Sequence, residues 1–134
     1  MKTIEREVMQ VANEAGVVTA RRMARDHAIR LGLNLVNQTK LVTAVSELAR
    51  NMIVYAGGGK VTIEEVEAGI KRGLRITFED NGPGITDLEL AMRDGYTTGG
   101  GLGQGLPGSK RLVNEFTINS EVGVGTTVTI IKWK

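Results

Sequence analysis

The sequence contains no cysteine. That excludes a disulfide scaffold, an Fe–S cluster, a Cys-ligated zinc site and a thiol nucleophile. It also fits a reducing, cytoplasmic compartment. Histidine occurs once, at His27. A His-rich metal site and a Ser-His-Asp triad are therefore disfavoured. No run approaches the roughly 18 apolar residues of a membrane span. The opening Met1-Lys2-Thr3-Ile4-Glu5-Arg6-Glu7 lacks the apolar core of a signal peptide. Neither sign of charge dominates: 17 basic residues stand against 15 acidic ones, for a net +2. No segment gathers the Lys and Arg that a nucleic-acid grip needs, so neither nucleic acid nor membrane is an expected partner.

What remains is 134 residues, the size of one domain. A chain this long buries on the order of 68% of its unfolded surface, enough for a core without staples. Glycine is the compositional outlier, with 18 residues, half of them between Gly82 and Gly108. Such a cluster marks backbone that turns tightly or approaches a ligand closely.

Residues 4–11 read as a strand. Thr19 reads as a helix N-cap, followed by Ala20, Met23, Ala24, Ala28 and Leu31 at helical spacing, with Gly32 ending the run. His27 falls beside that stripe and reads as a partly buried core or helix-end histidine. Asn37 or Thr39 opens a second helix with Leu41, Val45, Leu48 and Met52 on one face. It should run to about Tyr55, where Gly57-Gly58-Gly59 stops it. Residues 60–66 and 74–80 alternate as two strands, with Lys71-Arg72-Gly73 as their turn. Asn81-Gly82-Pro83-Gly84 is a loop, and Thr86-Asp87 caps a short helix over about 87–94. Tyr96 to Gly105 has no periodicity. Pro107 suits the first position of a helix over about 107–114. Residues 116–120 and 126–131 are two more strands, joined by Gly123-Val124-Gly125. This order is not the alternation of a doubly wound parallel fold. It predicts an α+β fold, a two-layer α/β sandwich with a mixed, mostly antiparallel sheet and helices on one face.

Two familiar glycine patterns fail on context. Gly103-Gln104-Gly105-Leu106-Pro107-Gly108 spells G-x-G-x-x-G, but no strand precedes it. The same residues start a near P-loop, but Ser109-Lys110 reverses the required order. The physical content survives. A glycine loop running into a helix N-terminus favours phosphate, and Lys110 and Arg111 would add charge. The alternative is a surface loop with no ligand.

Other residues invite chemistry. Glu47 and Asn51 are four apart on one helix face, where a carboxylate and an amide can hold hydrated Mg²⁺ and act on a nearby hydroxyl. Taken alone, they also read as two solvated polar residues. Asp80 ends an apolar strand before a glycine turn. It can accept from an exocyclic amine, or simply form the turn.

In order, these pieces resemble the GHKL ATPase and kinase superfamily. Glu47-Leu48-Ala49-Arg50-Asn51 resembles its N-box, and Asp80-Asn81-Gly82-Pro83-Gly84 its first glycine box. Gly99-Gly100-Gly101-Leu102-Gly103-Gln104-Gly105-Leu106 resembles the second box, and Gly123-Val124-Gly125-Thr126 the last. The resemblance implies the Bergerat ATP-binding fold, with ATP and Mg²⁺ bound. It implies Asn51 as the Mg²⁺ ligand, Glu47 as the base and Asp80 as the adenine acceptor. Gly82 and Gly84 would shape the adenine pocket, with Thr126 nearby. Gly99 to Gly105 would form the phosphate lid, with Thr97 and Thr98 as weaker candidates, and Leu106 closes that box. Arg50 could reach phosphate or protein substrate.

The absence of large extra domains or a dimerisation helix resembles the small bacterial anti-sigma and switch kinases. Anti-sigma kinases often carry a histidine where this chain has Tyr55. Residues 46–57, the loop 99–108 with Lys110-Arg111-Leu112, and the ending Lys132-Trp133 are more similar to RsbT-type switch kinases of the stressosome. That resemblance implies a protein serine/threonine kinase acting on STAS-domain scaffold and antagonist proteins. Once released, it would bind and activate a PPM-type phosphatase. The alternative is an anti-sigma factor kinase that sequesters a sigma factor.

Overall fold

The computed structural model describes residues 1–92 and 105–134. In chain order the elements are β1 (Lys2–Val11), α1 (Glu14–Leu31), α2 (Leu35–Ala56), β2 (Gly59–Ala68), β3 (Lys71–Asp80), α3 (Leu88–Ala91), α4 (Gly105–Arg111), β4 (Glu115–Glu121) and β5 (Gly125–Trp133). The sheet order is β1-β2-β3-β5-β4. Each of the four described pairings is antiparallel, so the expected mixed character is absent among them.

Alternation divides the sheet into two faces. Val61, Ile63, Leu74, Ile76, Phe78, Val128 and Ile130 are all buried with the apolar stripes of α1 and α2 in one core. The α2 stripe is the one that the sequence predicts, with Leu41, Val45, Leu48 and Met52 buried. Each fully buried Leu, Ile or Phe contributes roughly 1.5–3 kcal/mol, so this layer dominates stability. The other face carries Thr62, Thr77, Thr129 and Thr117 in a cross-strand row, paired directly from β2 to β4. No helix among the described residues is long and apolar enough to cross a membrane.

Several boundaries differ from the sequence reading. Helix α1 starts at Glu14, capped by Asn13, whose side chain accepts from Gly16 N–H. Thr19 lies inside the helix, its hydroxyl donating to the Ala15 carbonyl. Helix α2 starts earlier too, because Asn34 caps the Asn37 N–H. Gly32 and Gly57 close the two helices in the left-handed conformation. The β2–β3 turn falls at Gly69-Ile70, so Lys71-Arg72-Gly73 belongs to β3. Gly73 is drawn into the strand because Trp133 packs over it: an added Cβ would lie 2.6 Å from the indole. Helix α3 is described only over Leu88–Ala91, with Asp87 as N-cap. Helix α4 starts at Gly105, which puts Pro107 third rather than first, still within the turn that needs no N–H partner. It ends at Arg111, earlier than expected, where the Leu112 N–H bonds the Ser109 carbonyl.

His27 is buried, as expected. It is more heavily bonded than a plain core histidine. Its Nε2 lies 2.6 Å from Glu7, and its Nδ1 lies 3.2 Å from Glu65 and 2.8 Å from Arg30. These contacts tie α1 to β1 and β2.

Candidate functional site

A cavity of about 400 Å³ opens between α2, the end of β3 and the segments that follow. That volume lies within the range of small-molecule sites. One wall is α2, through Leu48, Asn51, Met52, Tyr55 and Ala56. Those positions recur at spacings of three and four, the stripe that a single helix face presents. Asp80, Gly84, Thr126 and Val128 line it from the sheet end, and Gly105 and Leu106 from α4. Ile85, Leu90 and Ala91 complete an apolar surface.

The chain closes this cavity by cross-strand register. Ser120 pairs with Thr126, and Thr126 pairs with Asp80. The Asp80 Oδ1 accepts from Gly82 N–H at 3.0 Å and Thr126 N–H at 3.2 Å. The Ser120 hydroxyl accepts from Ile85 N–H at 2.7 Å and lies 2.9 Å from the Thr126 hydroxyl. Gly123 N–H donates to the Pro83 carbonyl. The loop after β3 is thus stapled to the β4–β5 hairpin.

Two glycines permit this. Gly84 has φ +77°, and an added Cβ would run into the Glu121 carbonyl. A Cβ on Gly82 would lie 2.5 Å from the Ala56 Cβ, so the loop could not close on α2. Gly82 acts from behind the wall and does not itself line the cavity.

The structure therefore brings together Asn51, Asp80, Gly84, Gly105, Leu106 and Thr126 from the predicted set. Glu47 is adjacent but not in the lining. It is half-buried, one turn before Asn51, with Arg50 Nη1 at 3.9 Å. Arg50 turns away to pair with Glu14 at 2.9 Å. That hydrogen bond holds the Glu14 carboxyl below its ordinary value of 4.5 and raises the Arg50 guanidinium. Thr97, Thr98, Gly99, Gly100, Gly101, Leu102, Gly103 and Gln104 lie outside the described residues. Ser120, Ile85 and Leu90 were not singled out in the sequence. A serine six residues before a glycine-box threonine carries no signal until strand register places them side by side.

The family described as "Histidine kinase-, DNA gyrase B-, and HSP90-like ATPase" matches residues 36–134. Over 129 residues the chain is 47% identical to "Serine/threonine-protein kinase RsbT" of Bacillus subtilis (strain 168), covering 96% of this chain and 97% of that protein. It is 35% identical over 98 residues to "Anti-sigma F factor" of Clostridium kluyveri, covering 70% of this chain and 69% of that one. A solved structure of RsbU and RsbW domains from Mycobacterium tuberculosis superposes with TM-score 0.67 at 19% identity, over 97% of this chain and 33% of that longer one. The last likeness speaks for the fold alone.

Proposed function

This chain belongs to the histidine kinase-, DNA gyrase B- and HSP90-like ATPase family, and we propose that it is an ATP-dependent protein serine/threonine kinase of a bacterial stress-signalling partner switch. One observation carries the reading. Residues from α2, from β3 with the loop after it, from α4 and from β5, expected from four separate motifs, line one cavity of nucleotide-base size. The near full-length similarity to a kinase of that class supports the same reading. The substrates would be serine or threonine hydroxyls of STAS-domain scaffold and antagonist proteins. The released kinase would bind and activate a PPM-type phosphatase. The reaction would run in the cytoplasm, where ATP is available.

The geometry supports a division of labour among these residues. Asp80 has Oδ1 held by two backbone N–H groups, which leaves Oδ2 to accept from the adenine amine. Leu48, Met52, Ile85 and Val128 supply apolar surface for the ring. Gly105 and Leu106 mark the phosphate end, continuous with the glycine box that precedes them. Asn51 offers one amide oxygen to Mg²⁺, which suits an ion that takes few protein ligands beside phosphate oxygens and waters. A bound Mg²⁺ supplies charge neutralisation at the phosphates. Glu47, on the same helix face, orients the acceptor hydroxyl and takes its proton. The hydroxyl oxygen bonds to the γ-phosphorus as the β–γ bridging bond breaks, and ADP leaves.

The test is incubation with labelled ATP, Mg²⁺ and a STAS-domain protein from the same operon, beside Glu47→Gln. Label on serine or threonine, lost in the variant, is the expected result. Absence of label with ATP binding intact would sink the kinase reading. It would favour the second one, an anti-sigma factor that sequesters a sigma factor, which the similarity to an anti-sigma F factor keeps in view. A stable sigma-factor complex in a pull-down is the mark of that reading.

A further inference from the structure

We propose that Ser120 is a specificity-determining positioning residue: it fixes the Thr126 hydroxyl as a donor beside the Asp80 acceptor, so that the cavity selects adenine over 6-oxopurines. This rests on the adenine reading of Asp80 given above.

The argument starts from register. Ser120, Thr126 and Asp80 form one row across β4, β5 and β3. Directly paired residues share a face of the sheet, so the three side chains are neighbours. A serine hydroxyl has one proton and two lone pairs. One lone pair of Ser120 receives the Ile85 N–H at 2.7 Å. The proton then has two acceptors in reach, the Thr126 Oγ1 at 2.9 Å and the Gly125 carbonyl at 3.4 Å. The shorter distance is near optimal for a hydroxyl donor and the longer one is at the limit. Either hydroxyl can donate across the 2.9 Å contact, and the proposed arrangement has Ser120 donating to Thr126. Having accepted there, Thr126 keeps its own proton for the cavity that it lines.

Asp80 has no proton to give and accepts only. The row thus presents an acceptor and a donor side by side. Adenine offers the complement on its Watson–Crick edge, an amine donor next to a ring-nitrogen acceptor. Hypoxanthine and guanine reverse both, with an oxo acceptor beside an N–H donor. Either would leave Asp80 and Thr126 facing like groups, and a site built on hydrogen bonds rejects such ligands strongly. Without Ser120 the Thr126 hydroxyl is free to turn and accept, and half of the discrimination goes.

The experiment compares ATP with inosine triphosphate by calorimetry, on the wild type, Ser120→Ala, Ser120→Thr and Thr126→Val. The wild type should favour ATP by about tenfold or more. Ser120→Ala should lose about half of that preference on a logarithmic scale, from about tenfold to about threefold, chiefly through weaker ATP binding, with inosine triphosphate affinity within about twofold of wild type. Thr126→Val, which leaves Ser120 to brace Ile85, should lose as much. Ser120→Thr restores the hydroxyl and should keep it. If Ser120→Ala weakens both nucleotides alike, Ser120 is a general brace and the proposal falls. If the preference survives undiminished in Ser120→Ala and Thr126→Val, it falls as well. A wild type with no preference would overturn the adenine role of Asp80, and this inference with it.

Discussion

Glu64 on β2 and Asp80 on β3 are two carboxylates on neighbouring strands, and their surroundings differ in kind. Glu64 is 5% exposed and fully engaged. Its Oε1 accepts from Arg75 at 3.0 Å, and its Oε2 accepts from Arg6 at 2.8 and 3.1 Å, with Thr3 and Arg75 adding longer bonds. Burial pushes its carboxyl up, but the Arg75 and Arg6 guanidiniums together outweigh that and leave it below 4.5. Among the described residues Asp80 uses Oδ1 alone, toward two backbone N–H groups, and it borders a cavity. A saturated carboxylate holds structure together. One with a spare oxygen at a cavity is available to a ligand. The same contrast separates His27, shared among Glu7, Glu65 and Arg30, from Asn51, which faces the cavity.

If that division is right, substitutions on the cavity side should cut activity and spare stability. Asn51→Ala should have the largest effect, lowering phosphoryl transfer by about a hundredfold or more, with an unchanged unfolding midpoint. Labelled-ATP transfer and urea denaturation on the same sample check it. Normal transfer by folded Asn51→Ala would remove Asn51 from the site. Asp80→Asn comes next. It should weaken ATP binding by roughly tenfold to a hundredfold, the worth of a hydrogen bond to a charged group. Calorimetric titration reads it, and an unchanged affinity would erase the contrast with Glu64.

The saturated side should respond the opposite way. Glu64→Gln should cost on the order of 1–3 kcal/mol of stability while transfer per folded molecule stays the same. The lower end is favoured because Arg6 is 60% exposed. The pH dependence sharpens this. A carboxyl held below 4.5 in the folded state stabilises above that value, and the contribution disappears as pH falls through the folded value. Urea unfolding between about pH 6 and 3 should therefore show a steep acid loss in the wild type and a flatter one in Glu64→Gln. Equal slopes would mean that Glu64 is not the charge that acid neutralises.

Much of this was legible from one chain because local chemistry and global fold agree. The α2 stripe and the helix-ending Gly32 and Gly57 are where the residues predict them. The misread boundaries have physical causes. Helix α1 starts at Glu14, before Thr19, with Gly16 in its first turn where the helix passes close to Val11: a Cβ there would lie 3.2 Å from the Val11 Cα. Gly73 looks like a turn residue and is in fact the platform under Trp133. Ser120 and Ile85 were invisible for a third reason. Their roles depend on which strands pair and in what register, and no local pattern encodes that.

The smallest effect belongs to Arg50, which sits between Glu47 and Asn51 in sequence and yet on the structural side of the division. Helical geometry turns it away from the Asn51 face, and it pairs with Glu14, whose side chain is 63% exposed. Exposed ion pairs contribute little, so Arg50→Gln should change stability by no more than about 0.5 kcal/mol. The 3.9 Å between Arg50 and Glu47 is long for a hydrogen bond, so the base should not depend on it. Transfer should then stay within about twofold of wild type, given that exposed charges couple weakly. A loss beyond tenfold, with stability intact, would show that Arg50 leaves Glu14 for phosphate or protein substrate during turnover. In that case the boundary between the two regions would run through Arg50, and Glu14 would be its resting partner.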